Sequence, residues 1–463
     1  MDTETIKPIL ESMNPWWSSG VVPERDAPAT KRTELETFAA TLEGPRIPVL
    51  SGLRRTGKTT ILHQTVAALI ERGVRPERLL YVKFDDLGLR EMGPYVFQAV
   101  LDAHGEMMGA VPGDMTYALF DEVHNIPDWA RALKVIWDRK GPLRIAVTGS
   151  AGLSVRGGVG ESLVGRATTI DLGPMDLADW AALRGISVDR LPLTSLLGAE
   201  GTAGALGGRS EVLRRQSDLR PLLGDYLLRG GLPEAALVED LVQLQRSLYE
   251  DVVDRVVLRD IPLVYGVRQP AKLGALIAVI ADNSGVPLTV EGLRASVSLQ
   301  RETVEDYITY LVGASVIIEL VSHTGSPMAA LKKARKYYIA DTGLANAVMH
   351  RGSRTTSEAA AMGALAEQAV AIHLDRLARR RRHRLTYAPA HRGSEVDFVL
   401  ETTDGSLPIE CKFRSEVRDR EVGRLDDYRE GMGAKVAIMV TKDTLGRRED
   451  CVLVPLWLFL LTE

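Results

Sequence analysis

Three short stretches of this sequence place chemically capable side chains at working spacings. In the first, Gly52-Leu-Arg-Arg-Thr56-Gly57-Lys58-Thr59-Thr60, two glycines frame a loop that a lysine and two hydroxyls follow. Gly52 and Gly57 allow positive φ and close backbone approach, so successive N–H groups from Gly52 through Thr56 to Thr60 can cradle a polyphosphate. Lys58 is then placed for the β- and γ-phosphates of ATP, and the Thr59 hydroxyl for Mg²⁺. In the second stretch, the apolar run Thr116-Tyr-Ala-Leu-Phe120 ends in Asp121-Glu122. Asp121 would hold Mg²⁺, mostly through water, while Glu122 would orient and deprotonate an attacking water. The third is split among Glu367, Asp397 and Glu410-Cys-Lys412. Asp397 and Glu410 would ligate Mg²⁺ or Mn²⁺, Glu367 would add a ligand or orient the metal, and Lys412 would position water or neutralise developing charge.

These groups need particular elements to hold them. The apolar run from Ile47 to Leu50 reads as a buried strand that feeds the glycine loop, and residues 61–72 read as the helix after it, closed by Gly73. Leu143-Arg-Ile-Ala-Val-Thr148-Gly-Ser150 is another buried strand with a polar end; Thr148 or Ser150 is either a γ-phosphate sensor or a strand-to-loop cap. His124 reads as a helix-entry residue. Trp16 and Trp17 either cap a core or flank an adenine ring. Around the third group, residues 362–374 have helical apolar spacing with Glu367 as their one carboxylate, and Asp404-Gly405 is a hairpin turn. Strand alternation puts Glu410 and Lys412 on one face with Cys411 behind, and the hairpin can bring Asp397 alongside.

Between these groups, residues 269–344 suggest a winged helix, with helices at 271–282, 289–296 and 301–312 and a β-rich run at 316–321. The second helix of its turn would show Glu302, Glu305 and Asp306 beside Arg301, which a DNA backbone would repel, so inter-domain packing is the favoured role. Lys332, Lys333, Arg335 and Lys336 are better placed for phosphate contact, with a merely solvated face as the bland alternative. A denser basic cluster runs from Arg376 to Arg384; it is either a phosphate-tracking surface or a set of arginines favouring a helix C-terminus.

The chain has 463 residues, 45% hydrophobic and 25% charged, enough for about three domains. Its net charge of −4 means that any nucleic-acid surface must be a local patch. Only two cysteines occur, Cys411 and Cys451, without zinc spacing, and both read as core residues. The N-terminus lacks a signal-peptide core and the apolar run 452–461 is too short to span a bilayer, so a cytoplasmic protein is expected. Gly157-Gly-Val-Gly160 lacks the strand-turn-helix setting of a dinucleotide site.

Gly52 to Thr60, Asp121 to Trp129, Val147-Thr-Gly-Ser150, Leu163-Val-Gly-Arg166 and Gly230-Gly-Leu-Pro-Glu234 together resemble a prokaryotic family of AAA+ type ATPases. These carry a C-terminal domain resembling restriction endonucleases of the PD-(D/E)xK fold, whose motif departs here by Val396 in place of the proline before Asp397. The resemblance implies an α/β fold with five parallel strands in AAA+ order. It also implies a finger-like role for Arg166, with Arg255 and Arg259 as second-sensor candidates and a solvated surface arginine as the bland alternative for Arg166. The expected layout is an N-terminal extension (1–41), a P-loop core (42–180), a helical lid (181–262), a winged-helix connector (263–350) and a nuclease-like α/β domain (351–463). The expected function is an ATP hydrolase whose nucleotide state controls a Mg²⁺- or Mn²⁺-dependent nuclease acting on nucleic acid, DNA ahead of RNA. The alternative is an ATP-driven switch or scaffold whose C-terminal domain binds DNA or a protein partner without cutting; remodelling of a partner by a ring of subunits is a third reading.

Overall fold

The computed structural model describes residues 3–109, 114–150, 162–196, 216–324, 329–330, 333–391 and 394–463. Gly157 to Gly160, the small-residue loop expected from Gly198 to Gly208, Lys332 and the side chain of Ser150 lie outside the described residues. The chain divides into two units, Met1–Leu172 and Gly173–Glu463.

The first unit is built on five parallel strands, β1 (Ile47–Gly52), β2 (Leu79–Lys83), β3 (Thr116–Asp121), β4 (Leu143–Ser150) and β5 (Ala167–Asp171), in the order β2-β3-β4-β1-β5. This is the sheet the resemblance implied. Every residue of β1 is buried, as expected of a central parallel strand covered on both faces. The Lys58–Glu71 helix follows β1 directly, with Ile61, Leu62, Val66 and Leu69 turned into the core.

Residues expected to form a separate N-terminal extension belong to this unit. Ile6 and Leu10 join one of its cores, and Trp16, Leu35, Phe38 and Leu42 join another. The physical reason is the edge position of β2, whose open backbone groups need partners. Asn14 supplies two of them, accepting from Tyr81 N at 2.7 Å and donating to Tyr81 O at 2.9 Å. Both Trp16 and Trp17 donate their indole N–H to Leu79 O. Trp16 is 1% exposed and packs edge-on against His63 and Tyr81, so it is a core residue.

The second unit is organised on eight strands. They are β6 (Ile317–Ser322), β7 (Lys336–Ile339), β8 (Arg384–His391), β9 (Ser394–Thr402), β10 (Gly405–Lys412), β11 (Ala437–Thr441), β12 (Gly446–Arg448) and β13 (Cys451–Pro455). Their order is β12-β13-β11-β10-β9-β8-β6-β7. From Ala359 the chain runs helix Ala359–Arg381, β8, β9, β10, helix Asp419–Met432, β11, with β8, β9 and β10 antiparallel and β10 and β11 parallel. Helices Pro270–Asp282, Val290–Val297 and Arg301–Gly313 precede the antiparallel pair β6–β7. That pair does not stand apart as a connector: β6 pairs in parallel with β8 at Val321 and Ser322, so the segments expected as 263–350 and 351–463 share one sheet.

The helical segment expected as a lid also packs into this unit. Trp180, Leu219, Leu223 and Leu227 share a core with Leu365, Leu374, Trp457 and Phe459. Buried charges tie the same regions: Asp176 and Asp179 face both Arg190 and Arg376. Burial opposes the Asp176 charge, yet Arg376 and Arg190 hold its carboxyl below the usual carboxylate range.

The Gly230-Gly231 pair is explained by close packing. Gly230 has φ +89° and Gly343 lies so near Arg229 O that a Cβ would sit 1.9 Å from it. Asp341 spans this crossing, accepting from Gly231 N at 2.7 Å and capping the Thr342–Val348 helix through Leu344 N at 2.8 Å.

Candidate nucleotide site and carboxylate–lysine cluster

The glycine loop takes the shape its sequence requires. Gly57 has φ +96° at the start of the Lys58–Glu71 helix, and Arg55 is also left-handed at φ 65°. At Gly52 a Cβ would lie 2.2 Å from Leu172 O, a contact that admits only glycine. The buried Thr56 hydroxyl donates to Leu53 O at 2.9 Å, and Arg32 donates to Thr56 O at 3.3 Å, bracing the loop from the N-terminal segment. Lys58 donates to Gly52 O and Leu53 O at 3.1 and 3.0 Å; its burial lowers the ammonium's pKa, against the pull of Glu122 and Asp121. Thr60 lies one residue further on the same first helical turn.

Asp121, at the end of β3, is fully buried. Three hydroxyls donate to its carboxylate: Thr59 at 2.7 Å, Tyr81 at 2.9 Å, and Thr148 from β4. The Thr148 hydroxyl also accepts from Glu122 N at 3.1 Å, so one side chain orders both acids. Glu122 is left-handed at φ 57°, and burial raises its carboxyl pKa. Its carboxylate meets His124 Nδ1 at 3.1 Å, a partner that the reading of His124 as a helix-entry residue missed. Tyr81 was also missed; its signal was a polar-tipped aromatic on the strand beside β3. Thr59 and Asp121 stand close enough to share a Mg²⁺ ion, and their hard oxygen donors suit it.

Arg166 is not gathered into this group. Its guanidinium makes a two-point pair with Asp138, at 2.7 and 3.1 Å, on the exposed end of the Trp129–Trp137 helix. Arg255 pairs with Asp251 at 3.0 Å in the second unit, within the π-helical stretch Tyr249–Asp260 that also contains Arg259.

In the second unit, β9 and β10 do bring Asp397 and Glu410 together. Asp397 N donates to Glu410 Oε2 at 3.2 Å, and Cys411 N donates to Asp397 Oδ2 at 3.0 Å. Lys412 pairs with Glu410, and a cavity of about 260 Å³ opens beside them, lined by Glu395, Asp397, Glu410, Lys412, Glu421 and Arg424 among others. Glu367, from the Ala359–Arg381 helix, accepts from Tyr338 OH at 2.8 Å and packs against Gly285, where a Cβ would be 2.3 Å from Glu367 Oε1. Burial, with the Asp397 charge, raises the Glu367 carboxyl to about 8 and the Glu410 carboxyl to about 7.

The expected metal-ligand set of Glu367, Asp397 and Glu410 is not assembled as one. Among the described residues no three His, Cys, Asp or Glu side chains are grouped so as to hold a metal ion. The reason is Lys336, on β7, whose ammonium lies 2.5 Å from Glu395, 3.2 Å from Asp397 and 3.8 Å from Glu367. This lysine was expected in a run that either contacts phosphate or forms a solvated face. Instead it is 1% exposed, and Arg335 beside it pairs with Glu319 at 2.6 Å, leaving Lys333 as the exposed cation of that run among the described residues.

The Arg376–Arg384 cluster is divided too. Arg376 is spent on Asp176 and Asp179, Arg379 pairs with Asp375 and Arg384 with Glu401, whereas Arg380 to Arg382 are exposed at the end of the helix.

Residues 44–180 match a family model described as "AAA domain". Residues 220–355 and 362–459 match two models, each described as a domain of unknown function (DUF8612 and DUF4143). A Haemophilus influenzae relative, printed as "Uncharacterized protein", is 23% identical over 402 residues, which cover 83% of this chain and 87% of the relative. Among solved structures, the S. cerevisiae Hsp104-ADP complex is similar at TM-score 0.32 and 16% identity, over 80% of this chain and 45% of that one. AMPPCP-bound DnaA from Aquifex aeolicus is similar at TM-score 0.25 and 13% identity, over 61% of this chain and 88% of that one. The chain spans about half the length of C. elegans PCH-2 and of Hsp104. Among the described residues no helix is long and apolar enough to cross a membrane. The glycine loop, the fully buried Asp121 with Glu122 beside it, and the five parallel strands all lie within residues 44–180, the part of the chain that matches the AAA domain model.

Proposed function

We propose that the protein is an ATP-driven switch whose second unit binds nucleic acid without metal-dependent cutting. The observation that carries this reading is that the C-terminal carboxylates already meet cations from within the chain, Lys336 at Glu367, Glu395 and Asp397 and Lys412 at Glu410. Carboxylates already paired with ammonium groups, one of them the buried Lys336, offer a divalent ion little net attraction. Arg379 to Arg382, exposed at the end of their helix, supply the phosphate-contacting surface.

In the ATPase domain, the loop N–H groups and Lys58 would hold the phosphates, and Thr59 and Asp121 would hold Mg²⁺. Bound there, that ion would neutralise negative charge on the phosphates. Glu122 takes the proton of the attacking water, and its burial-raised basicity suits it to that task. Thr148 and Tyr81 fix Asp121 so that little reorganisation is needed during turnover. The three helices and the β6–β7 pair have the order of a winged helix, and their sheet bond to β8 offers a route between that segment and the carboxylate cluster.

One observation favours a second reading, a metal-dependent nuclease. The helix-β8-β9-β10-helix-β11 order, with Asp397, Glu410 and Lys412 meeting beside a cavity, supports the resemblance to the PD-(D/E)xK fold. The deciding experiment incubates plasmid, linear and single-stranded DNA, and RNA, with Mg²⁺ or Mn²⁺, with and without ATP. Wild type runs beside Asp397→Ala and Lys412→Ala, and DNA binding is followed by anisotropy on the same samples. Nucleotide-sensitive DNA binding without cutting supports the switch. Cutting that both substitutions abolish replaces it with the nuclease.

A further inference from the structure

Lys336 comes from β7, far along the chain from the carboxylates it meets, and one strand delivers two groups to them. Its side chain is 1% exposed, with the ammonium 2.5 Å from Glu395 Oε1, 3.2 Å from Asp397 Oδ1 and 3.8 Å from Glu367 Oε1. Tyr387, on β8, places its ring 5.6 Å from the same ammonium. Two residues along β7 on the same face, Tyr338 donates its hydroxyl to Glu367 at 2.8 Å. Burying an ammonium is costly unless it is closely paired, and here three carboxylates and a ring surround it. Four carboxylates, Glu367, Glu395, Asp397 and Glu410, thus face two ammonium groups, Lys336 and Lys412.

From this geometry we infer that Lys336 is the resident cation of the cluster. It occupies the place a divalent ion would take between Glu367 and Asp397 and so keeps that place closed to metal. The inference deepens the non-cutting reading of the second unit and rests on it. It assigns the β6–β7 pair a direct part in the site: whatever moves β7 relative to β9 opens or closes a cation position. A flexible four-carbon stem and a single point charge suit lysine to this placement.

The test is Mn²⁺ binding to nucleotide-free full-length protein, read as free Mn²⁺ by electron paramagnetic resonance. Lys336→Met should bind one more Mn²⁺ per chain than wild type, and adding Asp397→Asn should remove that ion. Lys336→Arg, which keeps a cation in place, should match wild type. Because Lys336→Met removes a cation from the cluster, Lys336→Met/Glu395→Gln removes one carboxylate with it and should show the same gain if the single variant fails to fold. Equal Mn²⁺ stoichiometry in wild type and in the folded Lys336 variants overturns the inference, even if the protein cuts no DNA. Metal-dependent DNA cutting by wild type, with the Mn²⁺ gain intact, overturns the non-cutting reading and leaves Lys336 as the occupant of its own position.

Discussion

Thr148→Val is the sharpest perturbation of the proposed ATPase site, because one hydroxyl serves both acids. Valine keeps the shape and suits a buried strand, so the change removes chemistry and not volume. Two contacts disappear: the bond donated to the fully buried Asp121 carboxylate and the acceptor for Glu122 N. A hydrogen bond to a charged group is worth about 1.5–3 kcal/mol. If that ordering is needed chiefly when Glu122 acts on water, kcat should fall roughly 10- to 150-fold. ATP affinity should hold within about threefold, since the phosphates are met by loop N–H groups and Lys58 and lose no direct partner. Phosphate release gives kcat, and a fluorescent ATP analogue gives affinity. Tyr81→Phe is the matched control, because it removes a donor to Asp121 and leaves Glu122 N untouched. It should cost less than Thr148→Val. A Thr148→Val enzyme with unaltered kcat, or equal losses in the two variants, would refute the reasoning.

Glu122→Gln should retain ATP binding and lose most turnover; undiminished hydrolysis removes Glu122 from the mechanism. Lys58→Ala should abolish tight ATP binding, and an unchanged dissociation constant would sink the phosphate-loop assignment. Reversing the charges of Arg379 to Arg382 should weaken DNA binding most at low salt, with a shallower salt dependence; identical salt slopes would return these arginines to a solvated helix end. Burial pushes the Asp341 carboxyl up from 3.8 to about 6, against the backbone N–H groups of Leu344 and Gly231. A raised carboxyl stabilises the fold fully below pH 4, and that contribution is lost as pH climbs through 6, about 3 kcal/mol in all. Urea unfolding should therefore show the wild-type advantage over Asp341→Asn shrinking between pH 4 and 7, and a gap that stays constant would contradict this.

The nucleotide site was legible because its parts are local. Gly52 to Thr60 is one contiguous turn whose glycine positions carry the backbone requirement, and Asp121-Glu122 closes one apolar strand, so neither needs a distant partner to be recognised. Tyr81 went unassigned and the Glu122 partner of His124 was missed because both contacts depend on side-chain direction, which a strand neighbour and a left-handed Glu122 decide. On β9 and β10 the turn at Asp404-Gly405 fixed the register, so the meeting of Asp397 with Glu410 could be anticipated. The inward-facing members of the basic runs were not legible, for the opposite reason. Composition says nothing about which way each cation faces, and Lys336 and Arg376 turned inward to buried acids supplied from elsewhere in the chain.

By itself, then, the sequence determined the phosphate loop, the acid pair and the hairpin bearing Asp397, Glu410 and Lys412, all set by spacing within single elements or adjacent strands. Tertiary structure alone decided that residues 3–43 complete the first unit, that the helical segment after Leu172 packs into the second, and that β6–β7 extends the sheet of the carboxylate cluster. It also decided that Lys336 sits among the carboxylates and that Arg166 pairs with Asp138. Those outcomes depend on which strand edges and buried charges find partners, and such pairings are settled by the free energy of the whole packed chain, which no local spacing records.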